Sequence, residues 1–254
     1  MADGITRRRL LGTGALGAGS LVLAGCDRLN ASPAFRTLLE SAEEAHRASQ
    51  RLIGGAALAR EYAPAQMSPL FRANGNRDAA GNGAWKDHAA RGFSGWTLRV
   101  DGLVLRPLDL SLESLKALPQ RTQITRHDCV EGWSAIGQWT GPQLSAVLKA
   151  AGLLPAARYI VFHCADSFGD TPYYESIDLF DAFHPQTILA HTMNGGALPV
   201  EHGAPLRLRV ERQLGYKQAK YVMRIEARSG LGGLGQGKGG FWEDRADYAW
   251  YAGL

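Results

Sequence analysis

Arg126-His127-Asp128-Cys129-Val130-Glu131-Gly132-Trp133-Ser134 is the stretch on which the reading of this chain turns. Ahead of it, residues 122–129 alternate between polar and apolar, the period of a half-buried strand. Behind it, Thr140 and Pro142 read as the cap and first turn of a helix that carries Leu144, Val147, Leu148 and Ala151 on one face, with Gly152 just past its end. Cys129 is therefore expected where a strand gives way to a loop, a place that presents side chains on a rigid support. His127, two residues back, would share its face of an extended strand. Three readings fit those residues: a thiol nucleophile partnered by His127, a thiolate ligand to a soft metal centre, or a buried and inert cysteine.

Working outward, strands and helices mix without a regular strand-helix-strand repeat. Trp96, Leu98 and Val100 alternate, and Asp101-Gly102 supplies a hairpin turn into residues 103–105. Residues 111–118 read as a short helix closed by Pro119, residues 159–164 as a buried strand, and residues 178–184 as another short helix. Asn194-Gly195-Gly196 is a turn. Leu206, Leu208 and Val210 then point one way while Arg207, Arg209 and Glu211 point the other, and a last strand runs over residues 221–227. The fold class expected is α+β, a single mixed-sheet domain, with an N-terminal helix ahead of it. That helix, over residues 33–53, carries Phe35, Leu38, Leu39, Ala42, Ala45, Leu52 and Ile53 at three- and four-residue spacing and is expected to pack on the main body.

Residues 74–83 are rich in Gly, Asn and Asp and read as a loop. Residues 230–240 contain seven glycines, and Gly230-Leu231-Gly232-Gly233-Leu234-Gly235 formally matches a dinucleotide fingerprint. The pyrophosphate of such a site rests on the N-terminus of the helix that follows. Gln236-Gly237-Lys238-Gly239-Gly240 makes a poor helix start, and Gly239 stands where a phosphate loop needs a Ser or Thr hydroxyl, so the stretch is expected to be a mobile loop.

The chain has 254 residues, 45% of them hydrophobic and 20% charged, which is globular composition and excludes collagen-like, disordered and disulfide-scaffold classes. Its net charge of +4 is modest, and Arg7, Arg8 and Arg9 against Asp3 hold half of it, so no nucleic-acid partner is indicated. Those arginines precede a short, glycine-rich apolar stretch ending in Leu23-Ala24-Gly25-Cys26. Paired arginines, an apolar run and small residues before a cysteine resemble a twin-arginine lipoprotein signal. The stretch is too short and glycine-rich to read as a membrane span. The expectation is export, with residues 1–25 as the signal and the rest tethered outside the cytoplasm by acyl chains on Cys26. Because that route generally carries proteins already folded around a cofactor, a bound cofactor is to be sought. Of three cysteines, Cys129 and Cys164 then remain, as a disulfide or as thiols with a task. The seven histidines show no metal-binding helix pair.

His127-Asp128-Cys129-Val130-Glu131-Gly132-Trp133, followed by Trp139-Thr140-Gly141, resembles the molybdenum-ligand segment of the sulfite oxidase superfamily, in particular its periplasmic molybdopterin-dependent branch. His184-Pro185-Gln186-Thr187, Asn194-Gly195, the run from His202 through Gly203, Ala204, Pro205, Leu206 and Arg207 to Leu208, and Leu214-Gly215-Tyr216-Lys217 follow in the family's order, so the likeness spans about Phe71 to Glu226. It implies a sulfite-oxidase-like domain over residues 71–228, preceded by a tether and helix over residues 26–70 and followed by a glycine-rich loop and tail over residues 229–254.

The resemblance also implies roles. Cys129 would be the thiolate on molybdenum, beside one molybdopterin, and a soft donor suits that centre. Arg207 would bind the pterin phosphate through its planar fork. The Gly215-Tyr216-Lys217 turn would offer backbone amides and the Lys217 ammonium, while Asn74 and Asn76 would reach the cofactor from the N-terminal loop. Cys164 and His202 stand where the branch has a threonine and an asparagine and are assigned to the cofactor as well. Glu131 and Tyr174 are candidate proton carriers, and Trp133 and Trp139 are expected in the core. Val130-Glu131-Gly132 replaces the arginine-rich stretch of true sulfite oxidases, which points to a small sulfoxide rather than sulfite. The expected activity is oxygen-atom and two-electron transfer on such a substrate. Electrons would pass to or from a separate membrane cytochrome or cytochrome c, since no haem-attachment motif is present. The chain ends soon after Glu226, so a monomer without the family's dimerisation domain is expected. The alternatives are sulfite oxidation at the same centre, a thiol enzyme using Cys129 and His127, and a non-catalytic binding lipoprotein in which Cys129 and Cys164 are joined by a disulfide.

Overall fold

The structure, a computed structural model, describes residues 29, 31–55 and 57–254. The signal-like stretch of residues 1–25 and Cys26 lie outside the described residues. The chain divides into two compact units, Met1–Gly55 and Ala56–Leu254. In the first, helix α1 (Pro33–Gly54) starts on a proline, whose missing N–H is an orphan in a first turn anyway, and has Arg51 in its last turn. No described helix is long and apolar enough to cross a membrane.

The second unit runs in chain order through α2 (Gly83–Ala90), β1 (Thr97–Gly102), β2 (Leu108–Ser111), α3 (Leu112–Ala117), β3 (Gln120–Asp128), β4 (Ser134–Pro142), α4 (Leu144–Ala151), β5 (Tyr159–Phe168), β6 (Thr171–Asp178) and α5 (Leu179–Ala182). It continues through β7 (Ile188–Ala190), β8 (Thr192–Met193), β9 (Gly196–Ala197), β10 (Arg207–Arg209), β11 (Val222–Arg228) and α6 (Phe241–Ala246). Short 3-10 turns occupy Pro64–Gln66, Val200–His202 and Gly215–Lys217. One sheet has the order β2-β1-β11-β5-β6, a second β3-β4-β8-β9, and a two-stranded pair joins β10 to β7. Among the described strands only β1 and β11 pair in parallel, so the five-stranded sheet is mixed, the other two are antiparallel, and the α+β expectation holds.

Burial follows the sequence pattern. Leu98 and Val100 on β1, Ile160 and Phe162 on β5, Ile225 on β11 and Leu144, Val147, Leu148 and Ala151 on α4 share one core cluster. At about 1.5–3 kcal/mol for each large apolar side chain taken from water, the α4 face alone is enough to fix that helix against the core.

Three details depart from the sequence reading. The hairpin after Gly102 returns at Leu108–Ser111 rather than at residues 103–105, with Val100 opposite Leu108, because Leu103 instead donates its N–H to Ala227 in β11. Thr140 and Pro142 do not open a helix. They end β4, which pairs with β3 from Ser134 to Pro142, and α4 starts at Leu144 with Gln143 as a cap that makes no side-chain bond. Cap-type residues were outweighed there by a nine-residue ladder and by Gly141, whose missing Cβ lets the carbonyl of Leu189 approach. Strand β6 and helix α6 have no counterpart in the sequence reading. Residues 230–240 form no strand or helix; their N–H groups at Gln236 and Lys238 donate to the Asp244 carboxylate at 2.9 and 3.1 Å.

Candidate active site

Strand β3 ends at Asp128 and delivers Cys129 into a tight turn, as expected. Cys129 N–H donates to the Trp133 carbonyl (2.9 Å), Gly132 N–H donates to the Cys129 carbonyl (3.0 Å), and Gly132 takes φ 84°, a left-handed conformation open to glycine. The turn is locked from below by Asp128, which accepts from Ser134 Oγ (2.6 Å) and Arg126 Nε (3.0 Å). Cys129 is buried, and Asn74 Nδ2 donates to its sulfur at 3.1 Å. Burial pushes the thiol up, while the Arg207 cation and the Asn74 donor act the other way.

Beneath Cys129 lies a buried polar cluster. Arg209 donates twice to Glu211, at 2.9 and 2.6 Å, lies 4.3 Å over the Trp139 ring and donates from Nη1 to His127 Nδ1 at 3.1 Å. A guanidinium has no acceptor, so His127 Nδ1 is the accepting nitrogen and the ring proton resides on Nε2. Burial, then the Arg209 and Arg207 cations, hold His127 well below its ordinary range, so it is neutral. This geometry contradicts the thiol-enzyme reading: His127 is a positioned core residue, and its ring packs against Phe71 and Trp133.

A pocket of about 150 Å³ opens above Cys129. One side is polar, lined by Asn74, Asn76, Asp166, Arg207, Gln218 and Lys220, and Val130 and Glu131 stand beside the cysteine. The other side is aromatic, lined by Phe168, Tyr173, Tyr216, Trp242 and Tyr248, with Gly75 and Gly215 as backbone walls. Of the residues singled out from sequence, Cys129, Asn74, Asn76, Arg207, Gly215 and Tyr216 therefore meet in one place.

Three do not line it. Lys217 is fully buried and its ammonium is held by Glu175 and, at 2.6 Å, by Glu243. Burial alone would pull it down, but the two carboxylates more than offset that and keep it charged. The expectation that this ammonium faces a phosphate is corrected: it anchors α6. Cys164 sits in β5 behind the pocket, its thiol pushed well up by burial and by the Asp166 and Glu175 charges. His202 sits behind Arg207, to which it offers its carbonyl (3.2 Å). Tyr174 is also away from the pocket, bonded to Asp244, which removes it as a proton carrier. Cys129 and Cys164 are both free, so the disulfide of the binding-protein alternative is absent.

Sequence reasoning missed Asp166, Gln218, Lys220, Trp242 and Tyr248. The last two sit in the dense aromatic run from Phe241 to Tyr251, which is too apolar for a solvated tail and was the available signal.

The pocket fits a pterin carrying a phosphate and a metal at Cys129. Arg207 is 3% exposed, makes one hydrogen bond among the described residues and no ion pair, and leaves Nε without a partner. Burial and the Arg209 cation lower it to about 9, so it stays charged, and a buried cation of this kind calls for an anion. The buried acceptors Asp166 Oδ1 and Gln218 Oε1 lack donors, and a pterin ring has N–H groups to supply them. At Gly215 a Cβ would come within 2.5 Å of the His127 ring, so only glycine lets that turn pack there and reach the pocket wall.

Comparison with known proteins agrees. The family model described as oxidoreductase molybdopterin binding domain matches residues 86–230. A chain named protein-methionine-sulfoxide reductase subunit YedZ1, from Azospira oryzae, is 37% identical over 195 residues, 76% of this chain and 70% of its own length. The protein-methionine-sulfoxide reductase catalytic subunit MsrP of Xanthomonas axonopodis pv. citri is 38% identical over 144 residues, 52% of this chain and 45% of that one. Among solved structures, the sulfane dehydrogenase SoxCD from Paracoccus pantotrophus aligns with a TM-score of 0.48 and 26% identity over 53% of this chain and 38% of that chain.

Proposed function

The chain belongs to the oxidoreductase molybdopterin binding domain family and is a molybdenum-dependent oxidoreductase, and we propose that it reduces a small uncharged sulfoxide to the thioether. In balance, the sulfoxide takes up two electrons and two protons and leaves as thioether and water. When bound, the molybdenum cofactor supplies the two-electron oxygen-atom transfer; the protein's part is to hold, orient and tune.

The observation that carries the reading is the junction of Cys129 with Asn74 at 3.1 Å and the unpaired Arg207 in one pocket. Cys129 offers the soft thiolate, and the Asn74 amide stabilises negative charge on its sulfur. Arg207 and the Gly215 turn would hold the phosphate, and Asp166 and Gln218 would accept from the pterin edge. Glu131 lines the pocket, is exposed to water, and accepts from Trp133 Nε1 at 3.0 Å, so it is placed to pass a proton from solvent to the sulfoxide oxygen. The same carboxylate disfavours sulfite, a dianion when fully ionised, which supports a sulfoxide over the oxidative alternative, as do the names of the two relatives.

Export through the Thr6-Arg7-Arg8-Arg9 motif and lipid attachment at Cys26 belong to the same proposal, with the sequence pattern as their support. So does a separate electron-carrying partner, a membrane cytochrome or cytochrome c. The test is turnover of cofactor-loaded protein with reduced viologen dye and methyl sulfoxides, beside sulfite with an oxidised dye. Sulfoxide-dependent dye oxidation with little or no sulfite turnover is expected; sulfite turnover in its place would overturn the assignment.

A further inference from the structure

The family match ends at residue 230, yet the pocket does not. Its aromatic side is completed by Trp242 and Tyr248 from the C-terminal segment. Their rings stack at 5.9 Å and 24°, Tyr248 meets Tyr216 edge-on at 5.0 Å, and Trp242 meets Phe168 at 5.3 Å. Unlike neighbouring Phe241, which is 2% exposed, both rings are half-buried and line the cavity.

The segment is also fixed in place. Glu243 holds the buried Lys217 ammonium at 2.6 Å, and Tyr216 donates its hydroxyl to the Ala249 carbonyl at 2.6 Å. Trp250 Nε1 donates to Ser176 Oγ at 2.9 Å, and Leu214 N–H donates to the Ala252 carbonyl at 2.9 Å. Residues on both sides of the Gly215 turn are thus tied to the tail, so the wall and the cofactor side of the pocket are built as one piece.

We propose that Trp242 and Tyr248 are specificity-determining residues that receive the apolar substituent of the sulfoxide while the oxygen points to the Cys129 side. This rests on the sulfoxide reading above. Aromatic faces favour apolar groups and sulfur, and their negative quadrupole faces repel carboxylates. The wall therefore selects substrates with an uncharged alkyl or aryl arm over equally large anionic ones.

The experiment compares dimethyl sulfoxide, methyl phenyl sulfoxide and a carboxylate-bearing methyl sulfoxide on holoenzyme of the full chain. Wild type is expected to prefer the phenyl compound in kcat/KM. Trp242→Ala and Tyr248→Ala each lower the phenyl-to-dimethyl ratio about tenfold, and Trp242→Phe restores most of it. Binding of methyl phenyl sulfide, the thioether product, read by isothermal titration calorimetry, is lost in parallel in the alanine variants. Molybdenum content reports whether the cofactor side survives. Should an alanine variant fail to fold, Trp242→Leu and Tyr248→Leu keep the apolar fill and are expected to lower the same ratio. An unchanged ratio and unchanged sulfide binding in folded variants would overturn the proposal. A wild type that reduces no sulfoxide would instead contradict the function, and sulfide binding would still decide the wall.

Discussion

Arg207 and Arg209 stand two residues apart on β10, both over the Trp139 ring, at 5.3 and 4.3 Å, and their surroundings divide their tasks. Arg209 is neutralised by Glu211 and spends itself on His127; Arg207 has no such partner and faces the pocket. Alternation in the sequence put both on one side of a strand but could not say which would be paired, because Glu211 binds only one of them. Lys217 was misread for a related reason: its two glutamates come from β6 and α6, far away in the chain. Cys129 was legible because a soft donor at a strand end, followed by a glycine turn, is a local pattern. His202 carries a pH prediction. Burial and the Arg207 cation lower it to about 4, so it is neutral in the native state, whereas in the unfolded chain it takes a proton near 6.5. Between those values the unfolded state binds more protons, and stability falls as pH drops from about 6.5 to about 4, by at most about 3 kcal/mol from this group. Calorimetric Tm profiles should therefore fall less steeply in His202→Asn than in wild type over that window; parallel profiles would remove the assignment.

At the scale of elements, period was a good guide and caps a poor one. Helix α4 and strands β1, β5 and β11 follow from apolar spacing, since a 3.6- or 2-residue period is a local property that burial reads directly. Strand β4 was hidden by Thr140 and Pro142, residues that favour a helix start until a partner strand is available. Gly141 is where that competition is decided. A Cβ there would lie 2.0 Å from the Leu189 carbonyl oxygen, a backbone atom with little freedom to move. Gly141→Ala is expected to cost about 2–4 kcal/mol and lower Tm by several degrees, while Gly81→Ala, with nothing within 4 Å of the added carbon, should leave it within about a degree. Equal melting of the two variants would show that β4 and β7 are not packed as described.

For the whole molecule, most of the pocket lies within the family's matched region, while Asn74 and Asn76 on its polar side come from before it and Trp242 and Tyr248 on its aromatic side from after it. On the polar side Asn74, Asn76 and Arg207 were readable through resemblance, whereas Asp166, Gln218 and Lys220 were not. The aromatic wall needed a chain reversal that no spacing encodes, because the tail is held at the Gly215 turn by the long-range pair of Lys217 with Glu243. What unites both sides is Cys129, whose central role here is that of metal ligand. Elemental mass spectrometry of full-length protein made in a cofactor-competent host, beside Cys129→Ser with its fold checked by circular dichroism, tests that directly. About one molybdenum per chain is expected in wild type, with metal or activity lost in the variant. Metal-free wild type from a host that loads a related enzyme, or a variant that keeps both its molybdenum and full turnover, would contradict it.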